Sequence, residues 1–227
     1  ASIASLLWNW EMSLLTKKAH YSDLFEWQLY NATAVGMGHN GETYLYNNPL
    51  EVHGGVTRQG WYNCPCCPSN LSRTFADLGK HVYSFEKDNL WIHQFIGNET
   101  TVDIGGPVNI KIESGLPWNG RVLIHVKPEE TREFTVHLRE PSWDALSQSG
   151  DQRTASGYDP RNSGYEAINR LWSSKGETLQ YDFNVSVRLR RAHPKVKGHA
   201  GKVALTRGPL VYCLESVDNP GLDIFTV

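Results

Sequence analysis

The sequence changes character within FADLGKHVYSF, residues 75–85. Before this point apolar residues recur at helical spacing, so Phe75 and Leu78 share one face of a helix that is expected to begin after Pro68. Gly79 is a typical helix stop. Beyond it apolar and polar residues alternate, which indicates β-strands. The chain is therefore predicted to have a helical part followed by a sheet part.

Two further helices are predicted upstream. The apolar residues of the first fall at i, i+3, i+4, i+7 and i+11, and those of the second at i, i+3, i+4 and i+8, which is the spacing of one amphipathic face. The first face comprises Ile3, Leu6, Leu7, Trp10 and Leu14, and the second comprises Tyr21, Leu24, Phe25 and Leu29. The second helix is expected to start near Ser22 or Asp23 and to end before Gly36.

Downstream, short alternating runs are broken by Gly, Pro and Asn, which is typical of an antiparallel β-sandwich. The clearest runs are VNIKI (108–112), RVLIHV (121–126), EFTVHL (133–138) and TLQYDFNVSV (178–187). A polar stretch from Pro141 to Gly164 is predicted to be a long surface loop. Two more strand-like runs follow, KVALT (202–206) and PLVYCL (209–214).

Composition excludes two classes of function. The chain carries 22 Lys and Arg against 24 Asp and Glu, a formal net charge of −2, with no basic block. Nucleic-acid binding through a cationic face is therefore not expected. There is also no apolar run of about 18 residues or more, so no membrane span is expected.

Three of the four cysteines, Cys64, Cys66 and Cys67, lie together in GWYNCPCCPSNLSRT (60–74), just before the third predicted helix. The first turn of a helix favours negative charge, so a thiol there is stabilised as the nucleophilic, metal-binding thiolate. Arg73, expected about one turn into the helix, would add to this field. The fourth cysteine, Cys213, lies in an apolar run and is predicted to be an inert buried thiol.

Taken by itself, the cluster leaves several interpretations open. A disulfide between adjacent cysteines is strained, and a disulfide framework would need more cysteines along the chain. A zinc site needs four ligands, so His39, His53 or residues outside this chain would have to complete it. A catalytic thiolate and a buried cluster without chemistry are the remaining alternatives.

The block YNCPCCPSNLSRTFADLGKHVYS (62–84) resembles the signature of glycoside hydrolase family 127, the β-L-arabinofuranosidases. TVHLREPSW (135–143) and RGPLVYCLESVDN (207–219) resemble later blocks of that family in the same order. The resemblance implies the C-terminal part of an (α/α)6 catalytic barrel at 1–79, a β-sandwich domain at 80–190, and the start of a second β-sandwich at 191–227.

The resemblance also implies a chemistry. The family removes non-reducing terminal β-L-arabinofuranose from arabinose-containing oligosaccharides or glycans with retention, through a zinc-bound cysteine nucleophile. Carried onto this sequence, Cys66 would be the nucleophile and a zinc ligand, and Cys67 a second ligand. Cys64 is expected to lie beside the site or to be buried rather than to bind zinc. Tyr46, in YLYNNPLE, would contact the sugar, with an ordinary strand tyrosine as the alternative.

The chain departs from the family in one respect. The E-T-C type motif with two more zinc ligands and the acid/base glutamate are absent, and neither Glu11 nor Glu26 matches them. The chain is therefore expected to be an internal fragment of such an enzyme, inactive alone.

The second hypothesis is a non-catalytic carbohydrate-binding or structural β-sandwich module with a structural cysteine–metal site. Reduced thiols at a working site favour a cytoplasmic location, with a secreted or periplasmic location as the alternative.

Overall fold

The computed structural model describes residues 2–145 and 164–226 and is mixed, with helices first and three sheets after them. The helices are α1 (Ser2–Thr16), α2 (Ala19–Gln28), α3 (Cys66–Ala76) and α4 (Ser142–Ala145). A π-helical turn (Leu29–Thr33) and a 3-10 turn (Ala34–Gly36) extend α2, and further 3-10 turns lie at Leu78–His81 and Lys197–His199. None of the helices in these ranges is both long and apolar enough to cross a bilayer.

The first two helices confirm the predicted amphipathic pattern. Leu6 and Trp10 of α1 and Phe25 of α2 are buried and form a small apolar cluster with Leu29. Leu7 of the predicted first face is instead 41% exposed. The second helix begins three residues before Ser22, at Ala19.

The third helix begins earlier than predicted. It starts at Cys66 and not after Pro68, because proline in the first turn of a helix removes no N–H that the helix would use. Arg73 therefore lies in the last turn and not one turn into the helix, and its contribution to the field at the thiols stays a prediction. The helix stops at Ala76, and Gly79 falls inside the following 3-10 turn.

The strands form two four-stranded sheets, ordered β1-β2-β6-β7 and β3-β4-β5-β8, and a three-stranded sheet, β11-β10-β9. Their bounds are β1 (Tyr83–Glu86), β2 (Asn89–Ile92), β3 (Asn98–Asp103), β4 (Pro107–Ser114), β5 (Arg121–Pro128), β6 (Arg132–Glu140), β7 (Gly164–Trp172), β8 (Glu177–Asp182), β9 (Val187–Arg191), β10 (Val203–Arg207) and β11 (Leu210–Tyr212). Neighbours pair antiparallel as predicted, except that β2 pairs parallel with β6.

The predicted strand pattern is largely confirmed, with two differences. The run 178–187 does not form one strand. Strand β8 ends at Asp182, and Val187, the last residue of the run, is the first residue of β9 in the third sheet. The predicted loop from Pro141 begins with the short helix α4, and the rest of it, up to residue 163, lies outside the described residues. The domain limits 1–79, 80–190 and 191–227 stay a prediction, although 190/191 falls inside β9.

The main core lies between the two four-stranded sheets. Alternate residues of β4, β5 and β6 point into it, as their burial alternates along each strand. Trp172 closes one end, fully buried, with its indole N–H donating to the carbonyl of Phe134 at 3.0 Å. Ile96 packs against both this core and the helical cluster, so the helical part and the sandwich share an apolar boundary.

A buried polar network joins α2 to the sandwich. Arg139 of β6 is fully buried and donates to Asp23 and, at 2.6 Å, to Glu26. Trp143 of α4 donates its indole N–H to Glu26 at 2.7 Å. Burial disfavours the charged guanidinium, but Glu26 and Asp23 outweigh this effect and raise the pKa of Arg139 above its ordinary value.

The prediction for Cys213 is corrected: it is exposed and not buried, because β11 ends at Tyr212 on the edge of the three-stranded sheet. His93 is fully buried, with its Nδ1 3.0 Å from the Ser22 hydroxyl and its Nε2 2.7 Å from the Ser84 hydroxyl. Burial lowers the pKa of His93 to about 3.

Candidate functional site

The segment between α2 and α3 is fixed beside α3 by Tyr44. Its backbone exchanges two hydrogen bonds with Gln59, at 2.8 and 2.9 Å. Its side chain is buried, and its hydroxyl lies 3.4 Å from the hydroxyl of Ser72 on α3. Tyr46 follows two residues later, in a bend, so the anchored segment carries it beside the start of α3.

Tyr46 meets the cysteine cluster directly. Its hydroxyl lies 3.0 Å from the Sγ of Cys66. Its ring packs against Tyr62, with centroids 5.3 Å apart, and its backbone N–H donates to the Tyr62 hydroxyl at 3.2 Å. The structure thus brings together two of the residues singled out from the sequence, although Tyr46 contacts the thiol and its predicted contact with a sugar stays a prediction.

The three neighbouring thiols are close to each other but not bonded. The Sγ of Cys66 lies 3.8 Å from the Sγ of Cys64 and 3.8 Å from the Sγ of Cys67. Cys64 and Cys66 are exposed, and Cys67 is half-buried. Burial, one of the two places expected for Cys64, is therefore wrong. Cys66 and Cys67 are the first two residues of α3, where the unpaired N–H groups favour an anion.

The electrostatics of the pair favour ionised Cys66. Hydrogen bonds from Tyr46, then from Cys67 and Cys64, lower the pKa of the Cys66 thiol below its ordinary value. In the opposite direction, the thiols of Cys66 and Cys67 raise the pKa of Tyr46, so its hydroxyl stays protonated and remains a donor. A lowered pKa and an exposed sulfur beside a hydroxyl donor are the conditions under which a cysteine can act as a nucleophile.

The donor set fits part of a zinc site. Two thiolates bound at ~2.3 Å to one tetrahedral zinc ion lie about 3.8 Å apart. The sulfurs of Cys66 and Cys67 have this separation. Over residues 2–145 and 164–226, however, no group of three or more His, Cys, Asp or Glu side chains is arranged to hold a metal. His39 and His53 therefore do not complete the set; His53 instead stacks on Phe225 with ring centroids 4.0 Å apart.

Tyr62 also belongs to this site, although the sequence did not predict it. Its hydroxyl donates to the carbonyl of Tyr44 at 3.0 Å while accepting from the N–H of Tyr46, so it fixes the backbone that carries Tyr46. The sequence does contain an indication of this role, because Trp61 and Tyr62 lie just before the cysteines. In the structure, Trp61 packs edge-on against Tyr44. Aromatic residues flanking a polar site are typical of sugar-binding surfaces. The chain has eight Trp and ten Tyr, so the sequence alone does not distinguish Trp61 and Tyr62 from aromatic residues of the core.

Comparison with known proteins identifies the family. The model of the "Beta-L-arabinofuranosidase, GH127 catalytic domain" matches residues 1–80, and that of the GH127 middle domain matches residues 89–185. The model of the glycoside hydrolase family 127 C-terminal domain matches residues 187–226. Three domains of one family thus follow each other along nearly the whole chain. The chain belongs to glycoside hydrolase family 127.

Individual relatives agree with this assignment. A non-reducing end β-L-arabinofuranosidase of Bifidobacterium longum subsp. longum is 33% identical over 240 aligned residues, which cover 97% of this chain. The crystal structure of a GH127 β-L-arabinofuranosidase from Geobacillus stearothermophilus T6 superposes with a TM-score of 0.82 at 37% identity over 96% of the chain. The GH127 β-arabinofuranosidase BT3674 has the same TM-score at 30% identity and 96% coverage.

This family 127 chain is shorter than its relatives. It spans 36% of the length of the Bifidobacterium protein and of the Geobacillus structure, and 37% of BT3674. The matched part contains the cysteine cluster, Tyr46 and the sandwich.

Proposed function

We propose that this chain is the part of a retaining β-L-arabinofuranosidase that carries its nucleophile, Cys66. The proposal rests mainly on one observation: an exposed thiol at the first residue of α3 lies 3.0 Å from the hydroxyl of Tyr46. The family assignment supplies the substrate class, a terminal β-L-arabinofuranosyl group on an arabinose-containing oligosaccharide or glycan.

The chemistry asked of Cys66 is a double displacement. Its thiolate attacks the anomeric carbon, the bond to the leaving oxygen breaks, and a thioglycosyl–enzyme intermediate forms. Water then attacks the same carbon from the opposite side, which releases arabinose with retained configuration and regenerates the thiolate. Most retaining glycosidases use a carboxylate for this role; here the thiolate at the helix N-terminus replaces it.

Tyr46 is proposed to hold the thiolate and to line the sugar site. Its hydroxyl donates to the sulfur in the resting site, which directs a sulfur lone pair toward Tyr46 and lowers the pKa of the Cys66 thiol. When sulfur bonds to carbon, that hydroxyl becomes available to a sugar oxygen. Tyr46 thus has a positioning role before attack and a substrate contact after it.

Zinc is the proposed cofactor, with Cys66 and Cys67 as two of its ligands. The 3.8 Å between their sulfurs matches one edge of a zinc tetrahedron. When bound, zinc supplies positive charge that keeps both cysteines deprotonated at neutral pH. The remaining ligands are assigned to residues outside the part of the chain that the structure describes.

The acid/base carboxyl, like the remaining zinc ligands, is expected to come from residues outside this site. Glu26 accepts from Arg139 and Trp143 in the buried network and is therefore engaged structurally. The helical part, residues 1–79, is proposed to belong to an (α/α)6 barrel whose other helices would bring the missing carboxyl to Cys66.

The proposal is tested on the longer protein that contains this chain. Hydrolysis of an aryl β-L-arabinofuranoside is measured for the unmodified protein, for Cys66→Ser and for Cys213→Ser, with zinc content measured in parallel. The expected result is loss of turnover only in Cys66→Ser, because Cys213 is an exposed thiol outside the site. Full turnover of Cys66→Ser would contradict the proposal.

A further inference from the structure

The third thiol of the cluster has no role in the proposed reaction, yet it is placed to react with the nucleophile. Cys64 is exposed, and its Sγ lies 3.8 Å from that of Cys66. We propose that Cys64 is a resolving cysteine, which captures Cys66 as a reversible Cys64–Cys66 disulfide when peroxide oxidises Cys66. This inference concerns the thiols alone and does not require glycosidase activity.

The backbone selects this pair over Cys66–Cys67, although the two sulfur separations are equal. A disulfide requires the sulfurs to approach to about 2.05 Å, with a Cβ–S–S–Cβ dihedral near 90°. Cys66 and Cys67 are consecutive residues of α3, so closing their ring would require unwinding the helix start. Cys64 lies before the helix in a bend, where its backbone can adjust without breaking helical hydrogen bonds.

The reaction balances without any further reactant. The thiolate of Cys66 attacks one oxygen of hydrogen peroxide, and the O–O bond breaks, which gives a sulfenic acid and, after protonation, water. The thiolate of Cys64 then attacks the sulfenic sulfur, the S–O bond breaks, and the hydroxide leaves as a second water. Two thiols are oxidised to one disulfide, and one peroxide is reduced to two waters.

The consequence is protection of the proposed nucleophile. A sulfenic acid without a neighbouring thiol is oxidised further to sulfinic acid, which thiol reductants do not reverse. With Cys64 at 3.8 Å, the disulfide forms first and a dithiol reductant restores both thiols. While the disulfide exists, Cys66 can bind neither a metal nor a sugar carbon.

The test is peptide mapping after mild peroxide treatment of chelator-treated protein. Remaining thiols are alkylated, trypsin releases residues 59–73, and this peptide is fragmented. With a Cys64–Cys66 bond, cleavage before Pro65 lies inside the ring and separates no fragments, and Cys67 carries the alkyl group. With a Cys66–Cys67 bond, cleavage before Pro65 releases a fragment that contains alkylated Cys64.

Two variants complete the design. In Cys64→Ser, peroxide is expected to convert Cys66 to sulfinic acid, and dithiothreitol should not restore its alkylation. In Cys213→Ser, which removes an exposed thiol outside the cluster, the disulfide and its reversal should match those of the unmodified protein. A Cys66–Cys67 bond, or full recovery of Cys66 in Cys64→Ser, would overturn the inference.

Discussion

Arg139 and Glu26, which are 113 positions apart in the sequence, share a hydrogen-bonded ion pair of 2.6 Å in the interior. The pair connects β6 of the sandwich with α2 of the helical part. Asp23 accepts from the same guanidinium and from the backbone N–H of Ser142 at 2.8 Å. The network fixes the sandwich against the helices that precede the cysteine cluster.

Removing one member of this network is expected to destabilise the protein strongly. Arg139→Met leaves the carboxylates of Asp23 and Glu26 buried without their cation, which typically costs about 3–5 kcal/mol. Urea unfolding at pH 7 measures the effect. The matched control is Lys80→Gln, which removes an exposed ion pair with Asp77 and should leave stability within error. Equal effects of the two variants would show that the buried network does not join the two parts.

His93 is expected to make stability depend on pH. Its pKa is about 3 in the folded protein and about 6.5 in an unfolded chain, so the unfolded state binds more protons between these values. The contribution of neutral His93 to the free energy of unfolding is therefore fully present above pH 6.5, and it falls as the pH drops from 6.5 toward 3. Between pH 7 and pH 5 the unmodified protein should lose about 2 kcal/mol more than His93→Gln.

The comparison with His93→Gln cancels the titration of the other groups. Identical pH slopes for the unmodified protein and His93→Gln would mean that His93 is not held neutral by burial.

Tyr46→Phe is expected to make Cys66 less acidic. The variant removes the hydrogen bond that contributes most to the lowered pKa of the thiol. The rate of iodoacetamide labelling of Cys66 is measured against pH in metal-free protein, and its midpoint should move to higher pH. Tyr21→Phe, whose ring packs on His20 away from the cluster, should leave the midpoint in place. An unchanged midpoint in Tyr46→Phe would refute the role of its hydroxyl.

Trp172 is expected to be a major contributor to the sandwich core. It is fully buried, stacks on Phe134 with centroids 5.4 Å apart, and has its indole N–H satisfied. Trp172→Ala should cost about 3–5 kcal/mol in chemical denaturation, because a large cavity remains. Trp118→Ala provides the comparison, since that side chain is 67% exposed and should cost far less. Similar losses at both positions would argue against the core as described.

The sequence predicted those features that depend on local periodicity. The helical face with Leu6 and Trp10, the alternating strands of the sandwich and the position of the cysteines at a helix start all follow from neighbouring residues. The structure places the start of α3 two residues before the expected boundary at Pro68, because proline is compatible with the first turn of a helix.

Contacts between residues far apart in the chain could not be predicted from the sequence. Nothing in the local pattern of β2 shows that it pairs parallel with β6, or that Glu26 and Asp23 meet Arg139. The burial of His93 depends on a long-range contact as well, since its partner Ser22 lies 71 positions away. In the site, the contact of Tyr46 with the sugar came from family resemblance and stays a prediction, while its contact with Cys66 and the support from Tyr62 required the fold.

The central claim is that Cys66 bonds to the sugar during turnover. The most direct measurement is rapid acid quenching of the longer protein that contains this chain, mixed with an aryl β-L-arabinofuranoside, followed by peptide mapping. We expect a pentosyl group on the sulfur of Cys66, which appears within one turnover and decays as substrate is exhausted. Turnover without any adduct on Cys66, or with a pentosyl group on a carboxylate instead, would contradict the account.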